Sequence, residues 1–179
     1  MVYVFLADGF EIIEALSPVD MLRRAGIEVK TVGVTGEIVE ASCGVKVTAD
    51  VKPDDVNIDL AQAVVIPGGL PGVTNLENSD FVKNCLLKAA DAGKFVCAIC
   101  AGPSLVGKLG LLKGKNAISY PGFEQYLEGA VISDEYVVRD GNFITARGAG
   151  VSVDFGLEIV AAINGREASD KVRKTIQCR

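Results

Sequence analysis

A mostly parallel β-sheet with helices on both faces is the fold class this sequence predicts, and three observations carry it. Strand-like and helix-like segments alternate almost from end to end. The strands are short continuous apolar runs, as in Ala63–Ile66, which is the pattern of strands buried on both sides. Glycines follow directly on several of those runs, where a parallel sheet places its ligand sites. The 179 residues read as a single domain, 1–179, long enough to bury a sizeable core without disulfides or metals.

Val2–Ala7 is the first apolar strand, and Asp8-Gly9 turns the chain. From Glu11 to Arg24 the apolar residues Ile12, Ile13, Leu16, Val19, Met21 and Leu22 give a helix with one buried face. Pro18 inside it predicts a kink or a break. Ala25-Gly26 closes the helix and Ile27–Val34 is the second strand. Residues 37–50 read as a hairpin or irregular excursion. Ala63–Ile66 ends in Pro67-Gly68-Gly69, and Asp80 to Ala92 is helical. Lys94–Ile99 is a strand feeding Cys100, with a helix over Ala101–Leu111. Asn116–Ser119 is a short strand, and 131–138 with 142–146 form a hairpin around Asp140-Gly141. Two helices, Val151–Ile163 and Glu167–Gln177, complete the chain.

Bulk properties narrow the function classes. The net charge of −5, with 18 basic residues dispersed along the chain, gives no nucleic-acid footprint. No apolar run approaches the ~20 residues that span a bilayer, and Met1 leads into a strand without a basic leader, which argues against a signal peptide. Five cysteines, an odd number, read as reduced thiols in a cytoplasmic protein. With no histidine and no paired cysteine clusters, neither zinc nor another metal is expected. No cofactor motif is present.

The segment Ala98-Ile99-Cys100-Ala101-Gly102-Pro103 carries the chemistry. Small residues two positions either side of Cys100 suit a nucleophile elbow, a strand-to-helix turn too sharp for bulky neighbours. A thiol there faces the first free N–H groups of the next helix, which favour the thiolate. Because the chain has no histidine, a cysteine–histidine relay is excluded, and any proton partner is a carboxylate, a tyrosine or water. Pro67-Gly68-Gly69 alone reads as a tight turn. Beside an elbow cysteine, the amides of Gly69 and Ala101 become candidates for an oxyanion hole. Cys97-x-x-Cys100 is not a redox pair: three extended residues separate the Cα atoms by roughly 10 Å, beyond the ~7 Å reach of a disulfide. Cys97 reads as a small buried apolar residue. Glu11 and Glu14 both follow the first strand, and spacing does not choose between them as the partner of Cys100. A carboxyl group buried beside that sulfur would stay protonated and donate to it.

These motifs, taken in order, resemble the ThiJ/PfpI superfamily, in the branch of the parkinsonism-associated protein deglycase. The resemblance runs through Asp8-Gly9-Phe10-Glu11-Ile12-Ile13-Glu14, Pro18-Val19-Asp20, Leu22-Arg23-Arg24-Ala25-Gly26, Ile66-Pro67-Gly68-Gly69, the Cys100 elbow and Arg147-Gly148-Ala149-Gly150. It implies a flavodoxin-like three-layer sandwich and a homodimer built partly on the first helix. It places the reactive cysteine at Cys100, its glutamate at Glu14 and the oxyanion donors at Gly69 and Ala101. Tyr120, Arg147 and Gly68 become candidate substrate contacts.

The activity it implies is cofactor-free conversion of 2-oxoaldehydes such as methylglyoxal to 2-hydroxy acids, or removal of their early adducts from glycated protein. The alternative is a stress sensor or chaperone that works through oxidation of the same cysteine. Two departures stand out. Tyr120 precedes Pro121 where the family commonly has histidine, which disfavours peptidase and amidotransferase chemistry. Near Ser42-Cys43-Gly44 some relatives carry an arginine that completes an anion pocket with the one matched by Arg147.

Overall fold

In a computed structural model, which describes residues 1–178, β1 (Val2–Leu6) is buried at every position. Its alternate side chains divide the interior: Val2, Val4 and Leu6 face one apolar cluster, Tyr3 and Phe5 the other. α1 (Ile12–Arg24) leads to β2 (Val29–Gly33), which pairs in parallel with β1. A hairpin of β3 (Ile38–Glu40) and β4 (Lys46–Thr48) then stands outside the main sheet. The hairpin is tied to the β1–α1 turn. Gly9 donates to the Glu40 carbonyl, and the Glu40 amide donates to Asp8 Oδ1, both at 2.8 Å.

β5 (Ala63–Ile66), α2 (Gly72–Glu77), α3 (Asp80–Asp91), β6 (Phe95–Ile99) and α4 (Gly102–Lys108) follow. β7 (Asn116–Ala117) and β8 (Val131–Ile132) make a small parallel pair. β9 (Val137–Asp140) turns back on β10 (Phe143–Ala146), and α5 (Ser152–Asn164) and α6 (Arg166–Thr175) end the chain. The six-stranded sheet runs β2-β1-β5-β6-β10-β9, parallel except for the edge strand β9. α1, α5 and α6 cover one face, with Leu22, Leu157 and Val172 in its core. α2, α3 and α4 cover the other with Leu76, Leu86 and Leu105. The α/β sandwich read from the sequence is therefore the architecture, and it brings the ends of β1, β5, β6 and β10 to one edge.

Three local expectations are corrected. α1 runs through Pro18 without a break. The proline forfeits one helical hydrogen bond, but it is buried against α5, where a side chain on Gly156 would stand 2.9 Å from the Pro18 Cα. Packing of two helices this close outweighs the missing donor. Residues 131–138 do not form one strand. Ser133 Oγ accepts the Glu135 amide at 3.1 Å, and this polar turn separates β8 from β9. The short helix α2 has no counterpart in the sequence reading, because Pro71-Gly72 resembles a continued turn.

Candidate functional site

β6 passes directly into α4 at Cys100, whose φ is +63, in the left-handed region that side-chain-bearing residues rarely occupy. The small neighbours are required there: a Cβ on Gly102 would lie 2.8 Å from the Ile66 carbonyl oxygen. Both backbone groups of the elbow residue are anchored. The Cys100 amide donates to Ala146 at the end of β10 at 2.9 Å, and its carbonyl accepts from Tyr120 at 2.8 Å. The thiol is half-buried.

The turn after β5 closes one side. Gly69 has a φ of +91, and a side chain on it would collide with the Glu11 amide. The amides of Gly69 and Ala101 both face the Cys100 sulfur and favour its anionic form. Gly68 has a different place from the substrate contact expected of it. Its N–H donates to Glu14 Oε2 at 2.8 Å and its carbonyl accepts from Glu11 at 2.9 Å, so both backbone groups are occupied by the protein. A Cβ there would strike Glu14 Oε2 and stand 2.7 Å from the Cys100 Cβ.

The choice between the two glutamates is resolved by position. Glu14, one turn into α1, is fully buried and faces Cys100. Glu11 lies outside, where its Oε2 accepts from Ser42 Oγ at 3.2 Å. Burial raises the Glu14 carboxyl from 4.5 to about 7, against the opposing pull of the Cys100 thiol and the Gly68 amide. Among the described residues, its Oε1 has no hydrogen-bond partner.

Cys100 reverses the expectation drawn from the helix end. Burial, and then the charge of Glu14, push the thiol up to about 12, outweighing the Ala101 and Gly69 amides. The two groups titrate as a unit. The pair gives up its first proton near 7 and holds the second up to about 12, so at neutral pH and above it carries one proton. With Glu14 ionised that proton stays on sulfur, and its transfer to Glu14 would leave the sulfur an anion facing two amides.

Tyr120 and Arg147 line one cleft of about 440 Å³ with Tyr136 and the backbone of 148–151. The Arg147 amide donates to the Tyr136 carbonyl at 2.9 Å, and its guanidinium lies 5.3 Å from the Tyr136 ring centre. Tyr136 was not singled out in the sequence. The hairpin register carried the signal: Asp140 opposite Phe143 and Val137 opposite Ala146 put residue 136 across from Arg147. Cys97 is completely buried in the core and Cys85 is buried beneath α3, with thiols raised by desolvation, in Cys85 to about 11. Cys43 is exposed at the hairpin tip. Among the described residues, no helix is long and apolar enough to cross a membrane, and no three His, Cys, Asp or Glu side chains converge as metal ligands would.

Comparison with known proteins places this geometry. The sequence profile of the DJ-1/PfpI family matches residues 1–162. The chain is 37% identical over 174 residues to Protein dj-1beta of Drosophila melanogaster, covering 96% of this chain and 93% of that protein. It is 34% identical over 182 residues to Protein DJ-1 homolog A of Arabidopsis thaliana, covering 99% of this chain but 46% of that one, so it spans about half of the plant relative. Among solved structures, oxidized Toxoplasma gondii DJ-1 superposes with a TM-score of 0.95 at 32% identity, covering 99% of this chain and 97% of that one.

Proposed function

The chain belongs to the DJ-1/PfpI family and has a DJ-1-like function, and from that premise we propose that it is a cofactor-free enzyme acting on small 2-oxoaldehydes or their early adducts on proteins. The observation that carries this reading is the fully buried Glu14 carboxyl against Cys100, with the Gly69 and Ala101 amides facing the sulfur.

Glu14 takes the proton of the Cys100 thiol as the sulfur adds to the aldehyde carbon, forming a C–S bond, and the Gly69 and Ala101 amides stabilise the developing oxyanion. Glu14 then gives that proton to the oxyanion, completing the hemithioacetal. As a carboxylate it removes the hydrogen from that carbon and returns it to the neighbouring one, while the hydroxyl proton passes from the first oxygen to the second, leaving a thioester of the 2-hydroxy acid. Water cleaves the thioester and restores the thiol. The net change is addition of one water, with no oxidant or reductant. Tyr120 holds a substrate oxygen by hydrogen bond, and Glu14 is the base.

A second reading is favoured by one relative, the oxidized DJ-1 of Toxoplasma gondii. Oxidation of Cys100 to a sulfenate or sulfinate would place oxygen beside the unpartnered Oε1 of Glu14, and the protein would act as a redox stress sensor or chaperone. We also propose a cytoplasmic homodimer, whose contact uses the apolar ridge of α1 at the exposed Ile13 and the half-buried Ile12 and Leu16.

The test is lactate formation from methylglyoxal by purified protein without glutathione or cofactor. Turnover abolished by Cys100→Ser and depressed by Glu14→Gln is the expected result. Turnover indifferent to Cys100→Ser rejects the enzyme reading, and no turnover by the unaltered protein transfers the assignment to the redox sensor.

A further inference from the structure

The cleft beside the elbow is larger than methylglyoxal needs, and its walls are aromatic. Tyr120 and Tyr136 are 50% and 60% exposed, yet both line the same space of about 440 Å³. Its remaining lining is Pro121, Arg147 and the small residues that follow it. The cleft starts at the reacting sulfur's own backbone. Tyr120 is bonded to the Cys100 carbonyl, and Arg147 follows Ala146, which accepts the Cys100 amide. Gly148 is part of the fit. Its backbone is extended and asks for no glycine, but a Cβ there would press on the Tyr120 ring at 3.3 Å.

The charge in this cleft is unspent. Among the described residues Arg147 makes no ion pair, and its guanidinium lies over the Tyr136 ring. A cation without an ion-pair partner, in a cleft that two tyrosines line, suits a ligand with a carboxylate at one end and a flat apolar group at the other.

We propose that Tyr120 and Tyr136 form a specificity subsite for aryl-substituted 2-oxo compounds, with the aryl group between the tyrosines and a carboxylate on Arg147. In the proposed reaction the aryl site selects phenylglyoxal-type aldehydes over methylglyoxal, and Arg147 holds the carboxylate of the 2-hydroxy acid that forms. The choice of substrate rests on that reading, but the subsite itself does not, because binding of an unreactive acid reports it without turnover.

The experiment is calorimetric titration of the full chain with phenylglyoxylate and with pyruvate, which share the 2-oxo acid head and differ in the aryl group. Phenylglyoxylate is expected to bind roughly tenfold or more tightly, from burial of the ring. Tyr136→Ala should erase most of that preference while leaving pyruvate binding little changed, and Tyr120→Phe, which keeps the ring, should preserve the preference. Arg147→Gln should weaken both acids by a similar factor. Circular dichroism of each variant confirms that it is folded. Equal affinity for the two acids, saturable binding of neither, or a preference that survives Tyr136→Ala overturns the subsite. A preference for phenylglyoxylate in a protein that turns over neither aldehyde upholds the subsite and rejects only the enzymatic reading.

Discussion

The Gly68 amide donates to Glu14 Oε2 at 2.8 Å, and the missing side chain of the same glycine lets that carboxyl lie against Cys100. One residue therefore both holds the acid and makes room for it. Gly68→Ala is expected to destabilise the fold by about 1–3 kcal/mol through overpacking and to separate the pair. Urea unfolding measures the first effect. The second appears as Cys100 alkylation beginning at a lower pH than in the unaltered protein.

Stability should fall as Glu14 ionises. Its folded-state value near 7 lies above the ordinary 4.5, so the folded protein holds this proton more tightly than the unfolded chain. The contribution is fully present below 4.5 and is lost as pH rises through about 7. The difference corresponds to on the order of 3 kcal/mol. Glu14→Gln removes it, so the variant should gain on the unaltered protein between about pH 4 and about pH 8. Parallel unfolding curves at the two pH values check this, and a constant gap between the proteins contradicts it.

The charge of Glu14 holds back the reactivity of Cys100. Alkylation by iodoacetamide should stay slow through neutral pH and rise only toward 12, because burial and the ionised Glu14 keep the thiol protonated. In Glu14→Gln the rise should begin at a lower pH. Peptide mass mapping identifies the labelled thiol. Cys43 at the exposed tip serves as a fast internal reference, while Cys85 and Cys97 should label only after unfolding.

Glu14 is also sensitive to a contact further along the same face of its helix. Gly156→Val in α5 would press on Pro18 and Met21, displacing α1 and the carboxyl it carries. A cost of about 1–3 kcal/mol is expected, together with a shifted alkylation profile at Cys100. An unchanged profile in a destabilised variant would show that α1 moves without taking Glu14 along.

Most of the architecture was legible because every strand of the parallel core is an apolar run broken by glycine or proline. Ala63–Ile66 ending in Pro67-Gly68-Gly69 shows both features. The elbow was legible because Ala98 and Gly102 are small for a steric reason that the Ile66 carbonyl makes visible. What escaped depends on distant partners. Pro18 stays helical because of Gly156, which is far off in the sequence. The direction of the Cys100 shift depends on a buried Glu14 that local helix electrostatics does not include. Tyr136 emerged only with the register of β9 on β10.

Replacing the elbow residue by glycine should stabilise the protein. A non-glycine residue at φ +63 costs about 1 kcal/mol or more, so Cys100→Gly is expected to raise the melting temperature by about 2–4 °C. Differential scanning calorimetry against Cys100→Ser, which keeps the strained backbone, separates conformational relief from loss of the thiol. Equal melting temperatures for the two variants would remove the strain argument.

That strain bears on the history of the chain as well as on its stability. At position 100 a change from cysteine to glycine takes one nucleotide and leads downhill in free energy, so mutation alone would carry an idle elbow away from cysteine. A thiol kept at such a position is maintained against a standing drift, and selection on what the sulfur does is the force that can maintain it.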